Sequence, residues 1–123
     1  MRIGVPKEIK NHEYRVGLVP SSVRELTQAG HDVFIETHAG MGIGIADKEF
    51  IEVGARIVSS AEEIFDAAEL VIKIKEPQPE ECRKLRDNQT LFTFLHLAPD
   101  PEQARLLKES HCTAIAYETV THD

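Results

Sequence analysis

Apolar residues in this chain fall into short runs broken by charge, glycine and proline, and the runs alternate in type along the sequence. Leu70-Val71-Ile72-Lys73-Ile74-Lys75 is the run on which the reading turns. It is rich in β-branched residues on both faces, as a buried parallel strand is. Glu76 precedes a proline and is pushed to extended backbone, and Pro77 cannot donate to a ladder. The strand is therefore expected to span residues 70–75, with Lys75 at its carboxyl end. Further strands are expected at residues 2–5, 32–36, 55–58, 90–97 and 113–117. Their apolar centres include Val33-Phe34-Ile35 and Leu91-Phe92-Thr93-Phe94-Leu95.

Helical segments separate these strands. One opens at Pro20-Ser21-Ser22, where either serine is a candidate cap, and ends at Ala29-Gly30. A short one covers residues 48–53 with Asp47 as its cap. Another covers 61–68, capped by Ser59 or Ser60, with Glu62 and Glu63 in its electropositive first turn. Pro79 opens a helix running to about Arg86. Pro101 takes the first position of the last one, with Asp100 as cap and Ala104, Leu106 and Leu107 facing inward. Residues 7–19 follow neither period, and loops of that length inside a compact domain tend to be functional or mobile. Alternating strands and helices predict right-handed crossovers. The expected fold is α/β: a three-layer, mostly parallel sheet with helices on both faces, flavodoxin-like or Rossmann-like.

Gly40-Met41-Gly42-Ile43-Gly44 invites a dinucleotide fingerprint and fails it. The spacing G-x-G-x-x-G places Ile45 or Asp47 where the last glycine belongs. The segment reads as a flexible loop at the sheet rim.

Composition narrows the class. A length of 123 residues fits one domain, and 41% hydrophobic with only 6% aromatic residues implies an aliphatic core. The net charge of −7 leaves no basic face for nucleic acid. Cys82 and Cys112 are isolated and belong to no metal or redox motif, so no metal is expected. No run reaches membrane-spanning length and the start is not an apolar signal segment, which favours a cytoplasmic protein without a membrane partner. The chain ends soon after a strand, as a piece of something longer would.

Three residues carry candidate chemistry. Arg15 follows the first strand, Lys75 ends another and His96 ends a third. Carboxyl ends of parallel strands share one edge, where ligands of open α/β sheets bind. A guanidinium can fork a carboxylate, an ammonium can polarise a carbonyl, and an imidazole exchanges protons near neutrality. Together they suit a small 2-oxo or 2-amino acid. Singly, each has a plainer role: Lys75 snorkelling from the rim, Arg15 as a loop arginine, His96 as an element end like His12, His31, His38, His111 and His122.

With these residues in place, the chain resembles the N-terminal part of alanine dehydrogenases, in the alanine dehydrogenase and pyridine nucleotide transhydrogenase superfamily. The likeness is carried by Met1-Arg2-Ile3-Gly4-Val5-Pro6-Lys7-Glu8, Glu13-Tyr14-Arg15-Val16, Gly30-His31-Asp32-Val33, Ala39-Gly40, Gly54-Ala55, Lys73-Ile74-Lys75-Glu76-Pro77, Phe94-Leu95-His96-Leu97-Ala98 and Ala116-Tyr117-Glu118-Thr119. It implies NAD-dependent, reversible oxidative deamination of L-alanine to pyruvate and ammonia. Arg15 and Lys75 would then position the substrate carboxylate and carbonyl oxygen. His96 would be the acid/base, helped by an aspartate from a later part of the chain. Residues 1–123 would be the substrate-side domain, and NAD would be bound mainly by a Rossmann domain absent from this chain, leaving no cofactor-binding residue here. The isolated piece is then expected to be inactive and the full-length protein a homo-oligomer, commonly a hexamer in this family. Two alternatives stay open: the N-terminal domain of a transhydrogenase α-subunit, whose counterparts of Lys75-Glu76-Pro77 and Leu95-His96-Leu97 are typically altered, and a non-catalytic flavodoxin-like module.

Overall fold

The computed structural model describes residues 1–93 and 101–116. Six parallel strands form one sheet: β1 (Arg2–Val5), β2 (Asp32–Glu36), β3 (Arg56–Val58), β4 (Leu70–Ile72), β5 (Thr90–Thr93) and β6 (Thr113–Ala116). Their spatial order is β3-β2-β1-β4-β5-β6, so the chain reverses direction across the sheet between β1 and β4. The helices are α1 (Pro20–Gln28), α2 (Asp47–Glu52), α3 (Ala61–Ala67), α4 (Pro79–Cys82) and α5 (Pro101–Ser110). Among the described residues no helix is long and apolar enough to cross a membrane.

The period-two alternation of the strands divides the core into two. Ile3, Val5, Val33, Ile35 and Ile72 pack with Val23 of α1 and Phe50 of α2. Val71 and Leu91 pack with Phe65 of α3, Leu85, and Leu106 and Leu107 of α5. Gly4 points to this second side, and a Cβ there would lie 2.8 Å from Ala68 Cβ and 2.9 Å from Ile64 Cγ2. Its lack of a side chain lets α3 lie close against β1. Gly4→Ala is expected to destabilise the fold by ~1–3 kcal/mol through overpacking, read as a lowered thermal midpoint.

Several boundaries differ from the expectation. Neither Ser21 nor Ser22 caps α1; its N-cap is Val19, with Pro20 at the first position. Asp47 lies inside α2, after the cap residue Ala46. Its carboxylate accepts from Thr37 Oγ1 (2.6 Å) and the His38 amide (2.9 Å), tying α2 to the end of β2. Ser60 does cap α3, accepting from the Glu63 amide. Within the glycine-rich loop, residues 41–43 form a 3₁₀ turn. The helix after Pro79 is a single α-turn and gives way to i→i+3 turns, in which the Lys84 amide donates to the Glu81 carbonyl and the Leu85 amide to that of Cys82. β4 ends at Ile72, and the Lys73 amide just beyond it donates to the Phe92 carbonyl of β5. The expected extension of the strand after Thr93, the Asp100 cap and the inward face of Ala104 lie outside the described residues.

Candidate functional site at the strand tips

The crevice of an open α/β sheet forms where neighbouring strands send their connections to opposite sides. Here that point lies between β1 and β4. The long segment after β1 folds back over the tips of both strands. Gly17 makes this possible, since a Cβ there would lie 2.6 Å from the Ile72 carbonyl oxygen. Val16 beside it is buried in the core, which anchors the segment's far end.

Charge is buried across this junction. Lys73, the first residue beyond β4, is 1% exposed, and its Nζ donates to Glu8 Oε1 at 2.8 Å and lies 3.2 Å from Glu81 Oε2. Glu8 also accepts from the Ile74 amide (3.1 Å) and the Lys75 amide (3.2 Å). The other oxygen of Glu81 accepts from the Gln78 amide at 2.9 Å, closing the first turn of α4. Burial pushes the Glu81 carboxyl above the usual carboxylate range, with Lys73 opposing the shift. One ammonium thus ties together the segments after β1 and β4 and the start of α4. Nearer the surface, Lys10 pairs with Glu76.

A cleft of about 380 Å³ opens beside this cluster, lined among others by Lys7, Lys10, Tyr14, Arg15, His38 and Met41. Arg15 reaches it as expected of a residue following β1. Its guanidinium is forked onto Glu13: Nε donates to Oε2 (3.0 Å) and Nη2 to Oε1 (2.9 Å), while the Arg15 amide also donates to Oε2 (2.8 Å). The Arg15 side chain is 58% exposed and that of Glu13 only 4%. Arg15 holds the Glu13 carboxyl below its usual range, and the charge of Lys75 adds a smaller pull the same way. Glu13 raises the guanidinium of Arg15 in return.

Lys75 does not end a strand, since Lys73 occupies the tip of β4 and turns inward. Lys75 sits two residues on, half-buried, with its backbone held from both sides. Its amide donates to Glu8 (3.2 Å), and its carbonyl accepts from Thr93 Oγ1 at the end of β5 (2.7 Å). Arg15 and Glu13 line the cleft together, while Lys75 is not among its lining residues. His96 lies outside the described residues. Glu8, Glu13, Lys73 and Glu81 were not singled out by sequence pattern. The available signal was a lysine in the middle of an apolar run, which is costly to bury without a partner.

His12, His38 and His111 adopt left-handed backbone (φ 63, 67 and 59°), as turn residues. Cys82 and Cys112 are not joined in a disulfide. The Gly40–Gly44 segment wraps a 3₁₀ turn, and Ile45 and Asp47 stand where the last glycine of a G-x-G-x-x-G fingerprint would be.

Three comparisons bear on this geometry. The chain is 52% identical over 121 residues to an alanine dehydrogenase from Halomonas elongata, covering 98% of this chain and 33% of that protein. Its structure matches one titled L-alanine dehydrogenase with a TM-score of 0.93 and 54% identity, over 96% of this chain and 32% of that one. A transhydrogenase from Sinorhizobium meliloti matches with a TM-score of 0.88 and 26% identity, over 96% of this chain and 35% of that one. The chain spans about a third of the length of these relatives. The family model described as alanine dehydrogenase/PNT, N-terminal domain, matches residues 4–123, and the chain belongs to that family.

Proposed function

We propose that residues 1–123 are the substrate-side domain of an NAD-dependent alanine dehydrogenase, interconverting L-alanine with pyruvate and ammonia. The observation that carries this is the 52% identity to an alanine dehydrogenase across 98% of the chain, against 26% to the transhydrogenase. In this reading the guanidinium of Arg15 takes the substrate carboxylate and the Lys75 ammonium polarises the oxygen at C2. His96 gives a proton to that oxygen or removes one from it. Glu8 and Thr93 hold the Lys75 backbone, which fixes where its side chain starts. NAD, the hydride acceptor of such an enzyme, is held in this reading mainly by the remainder of the protein. The protein is cytoplasmic and assembles as a homo-oligomer, a hexamer, in the same reading.

The test is turnover of the full-length protein with L-alanine and NAD, expected to yield NADH and pyruvate. Hydride exchange between nucleotides without alanine turnover would favour a transhydrogenase instead, a reading kept in view by the 0.88 TM-score. The 123-residue chain alone is expected to produce no alanine-dependent NADH, and full activity from it would overturn the division of labour.

A further inference from the structure

Arg15 is presented to the cleft by Glu13, and the geometry points to Glu13 as a positioning residue for substrate carboxylate binding, an inference resting on the proposed function. The fork uses one side of the guanidinium, Nε and Nη2, at 3.0 and 2.9 Å. Nη1 makes no hydrogen bond among the described residues. The Nη1–Nη2 edge is therefore left to meet a carboxylate end-on, with the guanidinium plane already fixed.

Two features separate this from a carboxylate that merely plugs the site. Glu13 also accepts from the amide of Arg15 itself (2.8 Å), so the three contacts close a unit within three consecutive residues. And the Glu13 side chain is 4% exposed while that of Arg15 is 58% exposed: the acid is sheltered and the cation is offered. An incoming carboxylate has an open edge to bind and no need to displace Glu13. Pre-ordering a long side chain in this way lowers the ordering cost that binding otherwise carries.

The experiment uses the full-length protein with L-alanine as varied substrate. Glu13→Gln, which replaces one acceptor of the fork by a donor, is expected to raise KM about tenfold or more, with kcat near wild type. In an Arg15→Lys background, where no fork can form, adding Glu13→Gln is expected to change KM no further. Glu13→Asp, shorter but charged, should fall between wild type and Glu13→Gln. A lowered KM in Glu13→Gln would make Glu13 a competitor of the substrate, and an unchanged KM, a fall in kcat alone, or additivity in the double variant would equally overturn the assignment. The two readings fail separately. Unchanged KM in Arg15→Lys removes Arg15 from substrate binding. A raised KM there with none in Glu13→Gln removes only Glu13.

Discussion

Lys73→Met is expected to remove ~3–5 kcal/mol of stability, the range for stripping one partner from a buried ion pair. Domains of this size have only ~5–15 kcal/mol in total, so the variant should be recovered largely unfolded or with a much lower thermal midpoint. The cause is not the loss of a lysine as such, since methionine fills similar volume. It is that Glu8 and Glu81, at 1% and 2% exposure, lose the cation 2.8 and 3.2 Å away and are left as two neighbouring buried acids. Without Lys73 the Glu81 carboxyl, already raised by burial, loses the cation that opposes that shift and is left facing Glu8. A group whose pKa is raised in the fold stabilises it below the unfolded pKa, and that contribution is lost as pH rises through the folded pKa. The defect in Lys73→Met should therefore ease on acidification and deepen toward neutrality. Glu81 already shows the raised direction in the native chain. Glu81→Gln should accordingly flatten the part of the stability–pH curve just above the ordinary carboxylate range. Thermal unfolding of the full-length protein across pH checks both, and a Lys73→Met midpoint equal to wild type at neutral pH would show the cluster to be energetically idle.

The sheet was legible because its causes are local. Val33-Phe34-Ile35 and Ala114-Ile115-Ala116 can only be strands between the turn residues that flank them, and parallel order follows from the helices between them. Arg15 reaches the cleft because it follows β1 at the carboxyl edge of the sheet, whereas Lys75 is not among the residues that line that cleft. The details went astray where a side chain's partner is remote in sequence. Lys73 lies 65 residues from Glu8, and no local pattern distinguishes a lysine that ends a strand from one that turns inward to meet such a partner. The local pattern therefore runs the strand on to Lys75, while the strand itself stops at Ile72. The α1 cap misled for a different reason: proline at the first helical position already supplies the correct φ and lacks an orphan donor, so serine capping is dispensable there. Glu13 went unread because a glutamate beside an arginine looks like surface charge until its burial is known.

His96→Ala in the full-length protein is expected to lower kcat by ~10²–10⁴-fold, the contribution of a positioned acid/base. β5 pairs with β4 in parallel register, Leu91 beside Val71 and Phe92 beside Ile72, and Thr93 then donates to the carbonyl of Lys75 at 2.7 Å. The chain therefore leaves β5 tethered to the residue proposed to polarise the substrate, and His96 comes three residues later in the sequence. An imidazole is the side chain suited to both give and take a proton near neutral pH, its unperturbed pKa being about 6.5, and a reversible reaction needs both. KM should change little, because in the proposed function it is Arg15 and Lys75 that bind the carboxylate and the oxygen. The limb of the pH–rate profile that reports the imidazole should disappear, which a variant damaged only in folding would not produce. Unchanged turnover, or a raised KM with kcat intact, would remove His96 from proton transfer and leave the oxygen at C2 to be served by a group elsewhere in the full-length protein.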